Sequence, residues 1–415
     1  MLHRLLLVLL LGPSTLSLTA AYDNSMGARP PMGWNTWCTN DLCGLVDHCS
    51  EHLVKSVVDA MKSSGLVDLG YEYINLDDCW ADHSRTDEGR LQPSPLFPSG
   101  MAHLADYIHS AGMKLGLYTC VGTKTCKYNR PGSYGHFDVD AQTFAEWGVD
   151  FVKADFCSRP DNATALELYT EFSAQLNATN HPMLFSLCEW GVDDVWEWGG
   201  DVGQMFRIQM DHLPLWHFPP KAQGVGYGQG VSNIIEWMGD LQPSKYTRQF
   251  AYLDPDFLMT LMLEDSSWHN KTVMDYVDSK TEFSFWALWS SPLIFATDPR
   301  DMSDAKRSIL MNAEIIAVNQ DRLFTAGDRI LKDNDDSCFQ AWTKPLQNGD
   351  VAVIFYYPGE ADEGCDLQIR WDEILPSSPI HVRDLWAHED LIEQDSASHS
   401  VHLQAHEVEM LRLTF

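Results

Sequence analysis

The 415-residue chain is short of basic residues: 28 Lys and Arg stand against 59 Asp and Glu, for a formal net charge of −31. Phosphate backbones and anionic membrane surfaces are gripped by surplus Lys and Arg, and no basic run exists in this chain. Nucleic acid and anionic membrane are thereby excluded as partners. After the N-terminal leader no apolar run approaches the roughly 18 residues of a membrane-spanning helix. The ten cysteines contain no Cys-x-x-Cys pair, which argues against a structural zinc ribbon. Solenoid repeats and low-complexity tracts are missing too. Only 21% of residues are charged while 45% are hydrophobic, so the chain can bury a large core and is too apolar for a disordered one.

Residues 1–21 read as a secretory signal, with His3 and Arg4 ahead of the apolar Leu5–Leu11 and small residues at Thr19, Ala20 and Ala21. Cleavage is expected after Ala21. An oxidising compartment makes the cysteines candidates for disulfides. Cys38–Cys49 and Cys338–Cys365 are plausible pairs by proximity in sequence. Asn162-Ala-Thr, Asn177-Ala-Thr and Asn270-Lys-Thr are acceptor sequons that fit a glycoprotein. The expected destination is the secretory pathway, ending outside the cell or in a vacuole or lysosome.

Short apolar runs alternate with amphipathic stretches from residue 30 to about 300, the rhythm of repeated βα units. The runs are Met32–Trp37, Tyr73–Leu76, Leu115–Thr119, Val149–Ala154, Met183–Leu187, Phe206–Met210, Phe250–Leu253 and Leu293–Ala296. Eight such strands predict a (β/α)8 TIM barrel over residues 22–325. Gly65, Gly70, Gly112 and Gly148 fall where helices should stop. Beyond residue 325 the pattern turns to short alternating runs, Cys338–Thr343, Val351–Tyr357, Leu367–Trp371, His381–Trp386 and Val401–Leu413, with a hairpin turn at Asn348-Gly349-Asp350. Residues 326–415 are expected to form a C-terminal antiparallel β-sandwich.

A barrel of this kind places its chemistry at the C-terminal strand ends. The polar residues that close the runs are Asp77 and Asp78, Tyr118, Lys153 and Asp155, Glu189, Arg207 and Asp211, and Asp254 and Asp256. One acidic strand end is adequately explained as a helix cap. Carboxylates on five strand ends of one rim would repel one another unless a ligand, a metal or bases compensate, and Lys153 and Arg207 belong to the same set.

Lys153 and Asp155 have period-two spacing and leave the same face of their strand. The ammonium is expected to keep Asp155 ionised and nucleophilic, while Asp211, among Met210, Leu213 and Leu215, has the apolar setting of a general acid. Two carboxyl groups with their pKa values pushed apart are the pattern of glycoside hydrolysis.

Eleven motifs support a family resemblance: Pro31-Met-Gly-Trp-Asn-Thr-Trp37, Asp77-Asp-Cys-Trp80, Lys114-Leu-Gly-Leu-Tyr118, Lys124-Thr-Cys126, Trp147-Gly-Val-Asp150, Lys153-Ala-Asp155, Cys188-Glu-Trp190, Arg207-Ile-Gln-Met-Asp211, Asp254-Pro-Asp256, Ser291-Pro-Leu293 and Val318-Asn-Gln-Asp321. In this order the chain resembles the α-galactosidases and α-N-acetylgalactosaminidases of glycoside hydrolase family 27, over nearly its whole mature length. The resemblance implies a retaining, exo-acting α-galactosidase without cofactor or metal, Asp155 being the nucleophile and Asp211 the acid/base. It implies that Asp77, Asp78 and Lys153 read the sugar's 4- and 6-hydroxyls and that Trp37 stacks on its apolar face. Tyr118 would line the pocket, and Arg207 and Asp256 would hold the 2- and 3-hydroxyl side. Glu189 would bond the 2-hydroxyl, favouring galactose over a sugar bearing an acetamide. Cys126–Cys157 resembles the family's bridge, Cys43–Cys79 is the next expected pair, and Cys120 and Cys188 are left over. Phe250-Ala-Tyr-Leu stands where the family commonly shows Gly-Gly-Trp-Asn, and residues 212–249 also depart from the family pattern.

Four alternatives stand beside this reading. Within the family they are an α-N-acetylgalactosaminidase or a β-L-arabinopyranosidase. A metallohydrolase would need histidines at the rim, where only His212 stands; His402 and His406 lie in a strand-like run. A galactose-binding module would not need both Asp155 and Asp211. The sequence specifies neither monomer nor homodimer.

Overall fold

The computed structural model describes residues 23–37, 49–218, 228–262, 267–268, 271–332, 338–361, 363–391 and 397–415. The leader, Cys38, Cys43 and Asn270 lie outside the described residues.

Eight parallel strands follow one another around a single sheet: β1 (Met32–Asn35), β2 (Tyr73–Leu76), β3 (Lys114–Cys120), β4 (Phe151–Asp155), β5 (Leu184–Cys188), β6 (Met205–Arg207), β7 (Tyr252–Asp254) and β8 (Leu293–Phe295). Each falls on one of the eight apolar runs. β1 pairs with both β2 and β8. The ring closes through Leu258, which follows β7: its N–H donates to Ile294 O at 2.9 Å and its carbonyl accepts from Ala296 N at 3.0 Å. The strands are buried on both faces, which explains their unbroken apolar character.

Local chemistry sets the helices between them. α1 (Glu51–Ser64) starts at Ser50, whose hydroxyl accepts from Leu53 N. α2 (Met101–Ser110) and α3 (Phe137–Trp147) follow, and α3 stops at Gly148 with φ 71°, a left-handed cap that costs glycine little. α4 (Ala165–Ala178) opens with a Thr164–Glu167 capping box. After α5 (Val231–Leu241) comes α6 (Tyr276–Leu288), buried nearly all round, then α7 (Asp304–Leu310) and α8 (Ala313–Asn319).

The remaining chain forms two antiparallel sheets over their own apolar core, which includes Phe355, Leu367, Trp371 and Leu411. The larger contains β9 (Asp328–Leu331), β10 (Gln340–Pro345), β11 (Val351–Tyr356), β13 (His381–Asp384), β14 (Glu389–Asp390) and β16 (Val408–Thr414); the smaller pairs β12 (Cys365–Arg370) with β15 (Ser398–Leu403). The run Val401–Leu413, expected as one strand, is two. Gln404 N donates to the Glu407 carboxylate at 2.9 Å and His406 takes φ 63°, so the chain reverses between β15 and β16.

The sandwich docks on α6. Trp386 donates to Ser284 Oγ at 3.0 Å and Thr281 donates to His406 O at 2.7 Å. Lys344 on β10 is fully buried beneath, donating to Ser290 Oγ at 2.7 Å and Val318 O at 2.6 Å.

Three disulfides join described residues: Cys49–Cys79, Cys126–Cys157 and Cys338–Cys365. The expected Cys43–Cys79 pair is thereby corrected. Cys49 sits just ahead of α1, with its Cα 5.9 Å from that of Cys79 past the end of β2, so the fold brings Cys49 rather than Cys43 to that partner. The Cys38–Cys49 pairing falls for the same reason. Cys120 and Cys188 are free and buried.

Candidate active site

At the C-terminal end of the barrel, one pocket is lined by Trp37, Asp77, Asp78, Tyr118, Lys153, Asp155, Arg207, Asp211 and Asp256. All the residues expected at the rim except Glu189 and Asp254 therefore share one cavity. They come from six strand ends, β1 to β4, β6 and β7, which the closed barrel turns inward around one axis.

Asp77 and Asp78 form the floor. Asp77 Oδ2 accepts from Lys153 Nζ at 2.9 Å and from Asn35 Nδ2 at 3.1 Å. Asp78 Oδ2 accepts from the backbone of Lys127 and Tyr128 at 2.8 and 3.2 Å, while its buried Oδ1 has no hydrogen-bond partner among the described residues. Burial raises the Asp78 pKa despite those two bonds. A buried acceptor without a donor is what a sugar hydroxyl satisfies. Above the floor, Lys153 Nζ lies 4.7 Å from the centre of the Phe257 ring and 5.4 Å from that of Tyr118, so aromatic faces fix the ammonium from two sides. Half-buried Trp37 forms part of the wall, its N–H bonded to Asn35 Oδ1 at 2.7 Å.

Asp155 ends β4 with its Oδ2 accepting from Tyr118 OH at 2.8 Å and its Oδ1 from Phe156 N at 3.0 Å. Lys153 leaves the same strand face, but its ammonium goes to Asp77. Burial, reinforced by the charge of Asp211, pushes the Asp155 carboxyl up to about 6 against the opposing effect of Lys153. Lys153 acts in the expected direction and lowers this pKa, but removal of water outweighs the nearby cation.

Across the pocket, Arg207 holds two carboxylates at once, with Nη2 3.1 Å from Asp211 Oδ1 and 3.1 Å from Asp256 Oδ2. The guanidinium is buried, whereas the Asp211 side chain is 55% exposed to the pocket mouth. Loss of water on its protein side and the charge of Asp256 raise the Asp211 pKa, with Arg207 opposing; the open mouth tempers the shift. Asp256 also accepts from His212 N at 2.8 Å, and its own N–H donates to Asp254 Oδ1 at 2.9 Å. Asp254 is buried behind it and lines no part of the pocket.

Glu189 is the other exception. It is fully buried, stands outside the pocket lining, and neither carboxyl oxygen has a hydrogen-bond partner among the described residues. Its two neighbours take the wall instead: Cys188, whose Sγ lies 3.5 Å from Arg207 Nη1, and Trp190, whose φ of 58° aims the indole inward. Neither belongs to the set expected from the sequence, nor does Phe257. The signal was present as direct adjacency to Glu189 and Asp256, but which of three consecutive residues faces inward past a strand end is a matter of backbone turn.

Comparison with known proteins agrees with this geometry. Residues 29–321 match the family described as Alpha galactosidase A, and residues 336–413 match the Alpha galactosidase C-terminal beta sandwich domain. The chain belongs to the α-galactosidase family. It is 35% identical over 397 residues to an α-galactosidase of Oryza sativa subsp. japonica, covering 95% of this chain and 87% of that one. The crystal structure of α-galactosidase I from Mortierella vinacea superposes with a TM-score of 0.84 at 32% identity, covering 94% of this chain and 98% of that one. The α-galactosidase of Saccharomyces cerevisiae with raffinose gives 0.81 at 25% identity, covering 94% and 98%.

Proposed function

We propose that the chain is a retaining, exo-acting α-galactosidase that removes terminal α-linked galactose by double displacement. The observation that carries this is the facing pair: Asp155, held by Tyr118 on one wall, and Asp211, held by Arg207 at the open mouth. Asp155 attacks the anomeric carbon while Asp211 protonates the departing glycosidic oxygen, and Asp211 then takes a proton from the water that releases the sugar. Lys153 and Asp77 would present a donor and an acceptor to the axial 4-hydroxyl, Asp78 would take the 6-hydroxyl, and Arg207 with Asp256 would hold the opposite edge. Asp77 and Asp78 close the inner end, so the pocket admits a chain terminus rather than a chain interior.

Trp190 and Cys188 replace Glu189 in the argument for galactose. Trp190 and Arg207 line the pocket together, so a 2-acetamide on that side would have to be accommodated beside the indole, which supports galactose over N-acetylgalactosamine. Exposure of Asn162 and Asn177 supports glycosylation of a chain led into the secretory pathway by residues 1–21.

The test is hydrolysis of aryl α-galactoside, aryl α-N-acetylgalactosaminide and aryl β-L-arabinopyranoside side by side, with the first-formed sugar anomer read by proton NMR. Fastest turnover of the galactoside with α-galactose appearing first is expected. Initial release of β-galactose would refute retention, and preference for either other glycoside would refute the substrate assignment.

A further inference from the structure

The loop after β7 delivers Asp256 and Phe257 to the pocket in an unfavourable backbone conformation. Asp256 has φ 86° and Leu261, five residues on, has φ 46°, both in a region that side chains other than glycine rarely occupy. Such a conformation persists only where its surroundings over-determine it. The surroundings here are one stripe of α6. Ser279, Glu282 and Trp286 are spaced i, i+3 and i+7, so they share a helix face. Trp286 Nε1 donates to Asp256 O at 2.9 Å, Glu282 Oε1 accepts from Met259 N at 2.7 Å, Glu282 Oε2 pairs with Thr260 Oγ1 at 2.9 Å, and Ser279 Oγ accepts from Leu261 N at 3.0 Å.

The same carboxyl also approaches the segment that carries Asp211. Glu282 Oε1 lies 3.6 Å from His212 Nδ1, and that nitrogen donates to Phe257 O at 2.9 Å. His212 directly follows Asp211, and its backbone N–H holds Asp256. Glu282 and His212 are both buried. Burial pushes the Glu282 carboxyl up to about 8 and the His212 imidazole down to about 4. The carboxyl accepts from both Met259 N and Thr260 Oγ1; a glutamine of the same shape keeps an oxygen for Met259 N and meets the Thr260 hydroxyl, which can donate or accept, with its amide.

We infer that Glu282 is a positioning residue for the glycone pocket, clamping residues 256–261 to α6 so that Asp256 and Phe257 meet the sugar. It touches no substrate itself. This rests on the α-galactosidase reading above. Because Asp256 would bind ground state and transition state alike, release of the clamp should be read mainly in KM rather than kcat.

The experiment compares the full-length enzyme with Glu282→Gln, Glu282→Ala and Thr260→Val, using an aryl α-galactoside and inhibition by free galactose, with thermal melting alongside. Glu282→Ala should raise KM and the galactose inhibition constant about tenfold or more while kcat falls less. Glu282→Gln should restore both to within about threefold of the parent. Thr260→Val, close in shape and leaving Met259 N bonded, should raise both about two- to threefold; it carries the test if Glu282→Ala does not fold. A lowered melting temperature with KM and galactose inhibition unmoved in Thr260→Val and Glu282→Ala would overturn the clamp alone. A parent inactive on the galactoside would overturn the activity reading and this inference together.

Discussion

Tyr118 donates its phenolic hydrogen to Asp155 Oδ2 at 2.8 Å, from a strand directly paired with β4. This bond favours the ionised carboxylate that burial disfavours. Tyr118→Phe should therefore lower kcat/KM about tenfold and shift its acidic limb upward, since one charge-assisted hydrogen bond contributes about 1.5–3 kcal/mol. A pH–rate profile of both enzymes checks this; a limb left in place would show that Tyr118 does not tune the nucleophile.

The pH dependence follows from the same carboxyl. Asp155 must be ionised to attack, and its folded pKa is raised to about 6 by burial and by Asp211, so kcat/KM should fall as pH drops through about 6. Lys153→Met removes the opposing cation and should move that limb higher, along with a large loss of affinity from the unpaired Asp77.

Linkage makes a separate claim about stability. A folded pKa above the unfolded value of about 3.9 means that Asp155 weighs against folding increasingly as pH rises from about 4 and fully above about 6, whereas below about 4 both states are protonated and the effect vanishes. Asp155→Asn, inactive as a catalyst, should thus melt higher than the parent at pH 7, by an amount equivalent to about 3 kcal/mol. The difference should close at about pH 4. Equal melting temperatures at both pH values would contradict the buried-charge account.

Loss of the acid/base has a different signature. Asp211→Ala should cut turnover strongly for a substrate whose leaving alcohol needs protonation and far less for a dinitrophenyl galactoside, whose leaving group departs unaided. Added azide should accelerate the second case and give β-galactosyl azide if it displaces the dinitrophenolate directly, bypassing Asp155, or α-galactosyl azide if it displaces Asp155 from the β-linked galactosyl ester through the face left open; the retaining path predicts the α product. Equal losses on both substrates would count against Asp211 as the acid.

Disulfide removal near the site tests the scaffold. Cys126 lines the pocket and is bonded to Cys157, two residues beyond the nucleophile. Replacing both with Ser should cost about 2–4 kcal/mol by denaturant unfolding.

The repeating βα rhythm, the eight strands and the carboxylates that end them were legible because each is a local property. Strands buried on both faces must be apolar, and polar residues at their C-terminal ends break the run visibly. The partners of those carboxylates were not legible. Lys153 binds Asp77, 76 positions away, rather than the Asp155 that shares its strand face. Cys79 pairs with Cys49, which stands just ahead of α1 with its Cα 5.9 Å away, rather than with Cys43.

Past a strand end the period-two rule lapses, and backbone turns decide which side chain faces inward. The left-handed conformation of Trp190 turns the indole into the pocket while Glu189 is buried behind it. Residue order and composition were enough to place a rim of acids, with two bases among them, at the strand ends. Which of those acids meet, and in what protonation state, was settled by closure of the barrel, because their pKa values and partners depend on burial and on contacts between residues remote in the chain.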